Sequence, residues 1–351
     1  MSWVSDIARA EIRSLKPYQH ALWEPGLIRL HANELPWRQI DDPTEAGLNR
    51  YPEPHPHGLM KRLAALYQVP ETCLLAGRGS DEAIDLLTRT YLRAGYDAMI
   101  ITPPTFGMYA VTGRVQGAGI IEVPLRREAQ YRLDPDALLG AVTAQTRLVF
   151  LCSPNNPTGT LIESETLLHL VQALAGRALV VVDEAYIEFA GVPSLAASAA
   201  ATPGLVVLRT LSKAHGLAGA RCGALIAVSE IIELIARVIM PYAIAQPSIE
   251  AVLKALEPEP LARARAEVAT LVAERRRLER MLARSHGALK VWPSAANFLL
   301  VEFSDPASAL ERARQAGFLL RDLSHVPGLH QAVRISLGTP EQNDRLLASL
   351  A

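Results

Sequence analysis

Residues 205–228 read LVVLRTLSKAHGLAGARCGALIAV, and this stretch decides which fold we expect. The apolar run 205–208 is typical of a buried strand, and a second apolar run, 224–228, predicts the next strand. Between them, Lys213 follows the end of the first strand among small and hydroxyl-bearing residues. A lysine near apolar surroundings and a second cation can have a depressed pKa and act as a nucleophilic amine.

The residues around Lys213 suit a phosphate group, because the hydroxyls of Thr210 and Ser212 and the guanidinium of Arg221 are phosphate donors. These neighbours argue against a simple surface lysine. The longer stretch RTLSKAHGLAGARCG (209–223) resembles the cofactor-lysine motif of fold-type I aminotransferases, in particular the histidinol-phosphate aminotransferase branch. The resemblance implies that Lys213 carries pyridoxal 5'-phosphate (PLP) and is catalytic, with Thr210, Ser212 and Arg221 binding the phosphate.

Two further segments, RLVFLCSPNNPTG (147–159) and ALVVVDEAYIEF (178–189), resemble family motifs around the cofactor ring. Asp183 ends an apolar strand, where a buried carboxylate needs a cationic partner. A protonated pyridine nitrogen is such a partner; a turn or helix cap is the alternative role for Asp183. The resemblance implies that Asp183 and Tyr186 are catalytic, that Asn156 and Tyr186 bind the ring oxygen, and that the Asn156–Pro157 peptide is cis.

The segment GRGSDE (77–82) predicts a strand, a turn and a helix that Ser80 caps. A well-capped helix without further role is the alternative. The resemblance implies that backbone amides of Gly79, Ser80 and Asp81 bind the phosphate at the helix start. The Asp81 carboxylate itself would repel that group. In TPPTFGMY (102–109), the resemblance places the ring of Phe106 on the pyridine, with Tyr109 as the competing candidate.

The resemblance also implies substrate contacts and a homodimer. Tyr18 lies in LKPYQ and Asn33 in an ANE turn, and their alternatives are a packing aromatic and a turn cap. Tyr51, in NRYP, resembles the tyrosine that reaches the cofactor phosphate of a partner subunit. Arginines suit bidentate recognition of anions, although surface salt bridges are their alternative role. The substrate-binding candidates are Tyr18, Asn33, Asn156, Arg321 and Arg334.

Composition excludes several classes of protein. The 351 residues are 50% hydrophobic and 20% charged with a net charge of -1, so we expect no bulk attraction to nucleic acid or anionic membranes. Cys73, Cys152 and Cys222 lack disulfide or zinc spacing, and no signal peptide or membrane-length apolar run occurs. His55 and His57 have no second ligand cluster. We therefore expect a cytoplasmic protein without a metal site.

The expected fold is α/β of fold type I. It has a large domain with a mostly parallel seven-stranded sheet between helices, and a smaller α/β C-terminal domain of interleaved helices and strands. We expect an N-terminal arm at 1–27, the large PLP-binding domain at 45–244 and the small domain at 28–44 and 245–351. Within ERRRLERMLAR (274–284), apolar residues recur at helical spacing, so its arginines are interpreted as a solvated face.

The expected function is amino transfer between L-histidinol phosphate and 2-oxoglutarate or glutamate, a step of histidine biosynthesis. A threonine-phosphate decarboxylase or an aromatic amino acid aminotransferase of the same family stays an alternative. A PLP-binding regulatory protein is an alternative of another class. We do not favour such a regulator, because only about 27 residues precede the transition from the arm to the domains, too few for a helix-turn-helix module.

Overall fold

The computed structural model describes residues 3–18, 20, 22, 24, 26–285 and 287–350; parts of the predicted arm therefore lie outside the described residues. Within the described residues, seven strands form a large sheet of order β1-β7-β6-β5-β4-β2-β3. Only β7 runs antiparallel to its neighbours in this part of the chain, which confirms the mostly parallel sheet. The strands are β1 Leu74–Gly77, β2 Ala98–Ile101, β3 Gly119–Glu122, β4 Thr146–Cys152, β5 Leu179–Asp183, β6 Leu205–Thr210 and β7 Gly223–Ile226.

Continuous apolar runs place the central strands of the large sheet in the core. Side chains of a strand alternate between its two faces, and both faces of β5 are covered. Val180 and Val182 pack into one hydrophobic cluster, whereas Leu179 and Val181 pack into another on the opposite face. This explains why the run carries no polar alternation, as expected for a parallel strand buried on both faces.

Helices cover both faces of the large sheet. Residues of α3, α7, α8 and α10 contribute to one cluster, and residues of α1, α4, α5 and α9 to the other. No helix in the described ranges is long and apolar enough to span a membrane. The helices of this part of the chain are α1 Trp3–Asp6, α2 Ala10–Ser14, α3 His57–Tyr67, α4 Ser80–Tyr91, α5 Met108–Gln116, α6 Pro135–Gly140, α7 Ser164–Ala173, α8 Ala196–Ala199, α9 Ser229–Ala236 and α10 Gln246–Ala255.

The C-terminal part contains a small antiparallel sheet of order β10-β11-β9-β8. Side chains of α11, α12 and α13 pack on it in one cluster. The smaller α/β unit is thus confirmed, while the predicted domain boundaries stay a prediction. Its elements are α11 Pro258–Leu282, β8 Ala288–Trp292, β9 Phe298–Phe303, α12 Pro306–Gln315, β10 Arg321–Asp322, β11 Ala332–Ser336 and α13 Pro340–Leu350.

The interpretation of 274–284 as a helix with a fully solvated arginine face is wrong at Arg275. Leu278 and Leu282 point into the core as expected. Arg275 is also buried, and its Nη1 donates to the carbonyls of Phe189 at 3.0 Å and Ala296 at 2.8 Å. The arginine therefore ties α11 to two other backbone segments.

Candidate active site

The carboxyl ends of β4, β5 and β6 lie side by side at one edge of the large sheet. Cys152 pairs with Asp183, and Asp183 pairs with Leu208, so the loops that follow these strands emerge together. Open α/β sheets bind ligands at such an edge. A cavity of about 720 Å³ opens there, within the usual range for small-molecule sites. Most of the predicted site residues line it.

One side of the cavity carries hydroxyl and guanidinium donors. Thr210 Oγ1 donates to Ser212 Oγ at 3.0 Å, and Arg221 Nη1 donates to the same Ser212 oxygen at 3.4 Å. Helix α4 begins beside them at Ser80, and the first amides of a helix have no acceptor within it. A Cβ added at Gly79 would lie 3.0 Å from Arg221 Nη2. This combination of a helix start, hydroxyls and an arginine fits a phosphate.

The start of α4 differs from the expected cap. Gly79, with φ of 84°, occupies the cap position, and Ser80 is already the first helical residue. The Glu82 carboxylate accepts from the backbone N–H of Arg78 at 2.6 Å, which satisfies an amide that a serine cap would not reach. The Asp81 carboxylate accepts from Arg221 Nη2 at 3.1 Å, so its charge is neutralised beside the expected phosphate.

Asp183 is the most buried of the charged residues that line the cavity, and the residue is only 2% exposed. Tyr109 Oη donates to Oδ2 at 2.8 Å, and the backbone N–H of Ala185 donates to Oδ1 at 3.1 Å. Among the described residues, no basic side chain forms a salt bridge with it. Burial raises the pKa of Asp183 to about 6. A buried carboxylate without a cation is costly, and a pyridinium nitrogen would supply the missing charge, so PLP fits this donor set.

Lys213 enters the same cavity. Its Nζ lies 5.6 Å from the centre of the Tyr186 ring. Partial desolvation in the cavity, helped by the cations of Arg334 and Arg221, lowers the pKa of the Lys213 amine below its ordinary value. A lowered pKa increases the fraction of neutral amine at pH 7, and the neutral form is the nucleophile.

The predicted ring-binding residues surround Lys213. Asn156 Nδ2 donates to Tyr186 Oη at 3.4 Å, and the Asn156–Pro157 peptide is cis, which confirms that expectation. Phe106 lines the cavity. Tyr109, the competing candidate for stacking, is fully buried behind the cavity wall and bonded to Asp183. Of the two aromatic rings, Phe106 is therefore the one placed to cover a cofactor ring.

The small sheet contributes two arginines to the cavity. Arg321 of β10 lies opposite Arg334 of β11 in register, and both side chains line the cavity. Arg334 also donates to the side-chain oxygen of Asn156, which links the small sheet to the ring-binding loop. Like charges opposite each other on neighbouring strands repel, so this pair favours an anion between or beside the two guanidinium groups.

Four predicted residues do not line this cavity. Gly79 lies next to it, at the start of α4, and the other three lie elsewhere on the surface. Tyr18 is 72% exposed and lines a separate surface depression with His20 and His55. Asn33 lies in an exposed turn with φ of 57°. Tyr51 is half-exposed and stacks on Tyr242 with ring centres 4.7 Å apart. In the part of the chain that is described, no cluster of three or more metal-ligating side chains occurs.

Sequence reasoning missed the bond from Tyr109 to Asp183 and the apolar wall formed by Met108, Leu323 and Val326. No local pattern predicted the Tyr109 bond, because the two residues are 74 positions apart in the chain. The apolar wall had no local signal either, because its residues come from α5 and from the loop after β10.

The arrangement agrees with comparisons to known proteins. The sequence profile of the family described as aminotransferase class I and II matches residues 37–350. Histidinol-phosphate aminotransferase of Stenotrophomonas maltophilia (strain R551-3) is 49% identical over 330 residues, covering 93% of this chain and 90% of that protein. The protein of the same name from Xylella fastidiosa (strain 9a5c) is 45% identical over 351 residues, with coverage of 99% and 96%.

A solved structure shows the same fold. Histidinol-phosphate aminotransferase from Sinorhizobium meliloti in complex with pyridoxal-5'-phosphate matches with a TM-score of 0.77 at 25% identity, covering 86% of this chain and 82% of that one. The sequence profile spans most of the chain, and the two sequence relatives are at least 45% identical over nearly their whole lengths. The chain therefore belongs to the aminotransferase class I and II family.

Proposed function

We propose that this protein is a PLP-dependent aminotransferase that moves an amino group between L-histidinol phosphate and 2-oxoglutarate or glutamate, as in histidine biosynthesis. One observation carries the proposal. A single cavity combines a phosphate-type donor cluster, a buried carboxylate at Asp183, the amine of Lys213 and the arginine pair Arg321 and Arg334. The names of the sequence relatives agree with it.

Each group of cavity residues would bind a different part of the cofactor. The hydroxyls of Thr210 and Ser212, the Arg221 guanidinium and the first amides of α4 would hold the phosphate. Asp183 would keep a proton on the ring nitrogen, Phe106 would cover the ring, and Asn156 and Tyr186 would bind the ring oxygen. When bound, PLP withdraws electrons from the Cα of an attached amine and so stabilises the negative charge that develops there.

Lys213 has two roles in this proposal. Its amine would hold the cofactor covalently at rest. When free, its Nζ, which lines the cavity, would act as general base and acid: it would take the proton from the substrate Cα and return it two bonds away, a 1,3 shift. The lowered pKa of Lys213 suits both roles, because a neutral amine is needed for attachment and for proton removal.

The second half-reaction requires one site for two different substrates. Histidinol phosphate and glutamate both carry an anion away from the reacting amine, a phosphate in one and a carboxylate in the other. Arg321 and Arg334 can bind either anion, because a guanidinium matches both in a bidentate way. Met108, Leu323 and Val326 provide apolar contacts beside them for an uncharged ring. Contacts of Tyr18 and Asn33 with the substrate remain part of the proposal.

A screen of half-reactions tests the substrate. Purified protein loaded with PLP is mixed with one amine at a time, and the cofactor absorbance reports conversion to its amine form. Histidinol phosphate and glutamate should convert it rapidly, and phenylalanine or tyrosine at least tenfold more slowly. Lys213→Ala should bind PLP without forming a borohydride-reducible link. Release of carbon dioxide from threonine phosphate without an oxo acid would show that the decarboxylase alternative is right.

We also propose a homodimer in which Tyr51 reaches the partner's phosphate site. Tyr51 is exposed at its own surface, and the segment around it presents a band of apolar side chains that are more than half exposed. Bands of this kind mark protein interfaces. The band comprises Leu27, Ile28, Leu30, Leu35, Trp37, Ile40 and Leu48. A cytoplasmic location stays a prediction.

Mixed variants test the shared site. In a shared site, Lys213 comes from one subunit and Tyr51 from its partner. A heterodimer of Lys213→Ala and Tyr51→Phe therefore has one site with both residues intact and one site with neither. Random mixing should therefore restore about one quarter of wild-type activity, as expected for shared sites of two-fold symmetry. An activity equal to the average of the two separate variants, or a monomeric mass by light scattering, would contradict the shared site.

A further inference from the structure

Tyr109 is a fully buried tyrosine that reaches the candidate active site from behind. It lies in the first turn of α5, and its Oη donates to Asp183 Oδ2 at 2.8 Å. The Ala185 amide donates to Oδ1 at 3.1 Å. Among the described residues, each carboxylate oxygen thus accepts one such bond. These two donors fix the rotation of the carboxylate, and its remaining acceptor positions are free to face the cavity that Asp183 lines.

The Tyr109 ring is held independently of this bond. It stacks on Phe150 with ring centres 5.0 Å apart and an angle of 16°. Phe106 meets it edge-on at 5.6 Å and 84°. Stacked and edge-to-face contacts are the favoured geometries of aromatic pairs. Because the ring is packed on both sides, its hydroxyl cannot leave Asp183 without moving Phe106, the residue placed to cover a cofactor ring.

We propose that Tyr109 is a positioning residue that orients the Asp183 carboxylate toward a bound pyridine ring and keeps their shared proton on the ring nitrogen. This inference rests on the proposed function, because it requires a pyridine cofactor. A hydroxyl that donates to a carboxylate stabilises the charged form and lowers its affinity for a proton. The shared proton therefore stays on nitrogen, which keeps the ring an electron acceptor.

The surroundings keep Tyr109 a donor. Burial, together with the nearby charge of Asp183, raises the pKa of Tyr109 well above its usual value, so the hydroxyl retains its proton at neutral pH. The other titratable groups that act on Asp183 or Tyr109 are Asp81, Lys213 and Cys152. Of these, the Cys152 thiol has a pKa raised by burial and stays neutral, so it adds no second negative charge beside Asp183.

Tyr109→Phe in the full-length protein tests this role, with Tyr91→Phe as the matched control. Tyr91 is also fully buried, but its hydroxyl has no hydrogen-bond partner among the described residues. Tyr109→Phe should weaken PLP binding, measured by fluorescence titration, by about tenfold or more, the range for a bond to a charged group. It should lower kcat at least tenfold and leave KM for the amine within about threefold. Tyr91→Phe should change none of these more than twofold.

A spectroscopic measurement separates positioning from simple stability. When the ring nitrogen loses its proton, the ring withdraws less electron density from the nitrogen of Lys213, and that nitrogen becomes more basic. The pH midpoint of the cofactor absorbance should therefore rise by at least half a pH unit in Tyr109→Phe and stay constant in Tyr91→Phe. An unchanged midpoint and unchanged PLP affinity in Tyr109→Phe would overturn the inference.

A double-mutant cycle with Asp183→Asn shows whether Tyr109 acts through the carboxylate. If it does, adding Tyr109→Phe to Asp183→Asn should weaken PLP binding by less than about threefold, because the two effects are not independent. If the losses of PLP affinity in the two single variants multiply in the double variant, Tyr109 acts elsewhere, and the inference is contradicted. Failure of the wild-type protein to bind PLP at all would instead refute the proposed function, so the two failures can be told apart.

Discussion

At the scale of single residues, Asp183 shows a conflict between stability and chemistry. The carboxylate is buried with one hydroxyl and one amide as partners, and burial raises its pKa from 3.8 to about 6. Below about pH 3 the group is protonated in both the folded and the unfolded chain and has no effect on stability. From about pH 7 upward it is ionised in both, and the shift corresponds to about 3 kcal/mol of destabilisation.

Asp183→Asn should therefore stabilise the cofactor-free protein increasingly as pH rises. The gain in unfolding free energy over wild type should grow by about 3 kcal/mol between pH 3 and pH 7. Urea unfolding at several pH values measures it, and Asp136→Asn, an exposed aspartate on α6, is the control. A stability difference that does not depend on pH would contradict this account. The same variant should lose most of its turnover, since the ring nitrogen loses its partner.

Residue types at strand ends were predictable, whereas their long-range partners were not. Lys213 and Asp183 stand out because each follows an apolar run, where a charged side chain is unfavourable unless it has a partner. The hydroxyl that bonds Asp183 belongs to Tyr109, 74 positions earlier, and no local pattern connects the two. Arg275 was misinterpreted for the same reason, because its acceptors at Phe189 and Ala296 lie on other segments.

At the scale of elements, the start of α4 depends on Gly79. Its φ of 84° with ψ of 178° lies in a region that is essentially restricted to glycine. The apolar strands were predictable from their composition, but element ends depend on neighbours. Strand β6 continues to Thr210, beyond the predicted end at 208, because Thr210 pairs with Gly223 of β7. The same pairing places the Thr210 hydroxyl beside Ser212.

Gly79→Ala should therefore damage both the helix start and the phosphate site. The new Cβ would lie 3.0 Å from Arg221 Nη2, so the guanidinium group must shift by a few tenths of an ångström. We expect PLP affinity to fall by about tenfold, as for the loss of one bond to a charged group, and stability to fall by about 1–3 kcal/mol. Fluorescence titration and thermal unfolding measure the two effects.

Gly95→Ala separates backbone strain from the contact with Arg221. Gly95 also has a positive φ, of 70°, but a Cβ there would meet nothing within 4 Å. This variant should lose stability and keep wild-type affinity for PLP. Equal losses of affinity in both variants would mean that strain alone, and not the displaced arginine, accounts for the result.

At the scale of the whole molecule, the segment between β3 and α6 holds the small sheet against the large one. Arg127 Nη2 donates to both carboxylate oxygens of Glu302 on β9, at 2.8 and 2.9 Å. Tyr131 Oη donates to the carbonyl of Gly328 at 3.1 Å, and its ring packs on Trp292. Gly328 belongs to the loop after β10, which also supplies Leu323 and Val326 to the cavity wall.

The presence of two sheets was predictable, but this bridge was not, because neither Arg127 nor Tyr131 lies in a recognisable motif. The bridge has a functional consequence: it fixes the side of the cavity that carries Arg321 and leaves the phosphate side untouched. Breaking it should therefore change substrate binding more than cofactor binding.

Arg127→Gln tests this separation, with the neighbouring Arg126→Gln as control. Arg126 pairs with Glu128 at 2.9 Å and Asp134 at 3.6 Å, within the same segment and away from the small sheet. A partly exposed ion pair is worth on the order of 1 kcal/mol, so KM for the amine should rise about fivefold in Arg127→Gln. PLP affinity should stay within about twofold, because none of the residues expected to hold the phosphate belongs to the small sheet or to the segment between β3 and α6. Steady-state kinetics and fluorescence titration measure both quantities.

A similar rise of KM in Arg126→Gln, or a parallel loss of PLP affinity in Arg127→Gln, would show that the segment stabilises the fold in general and does not position the substrate side.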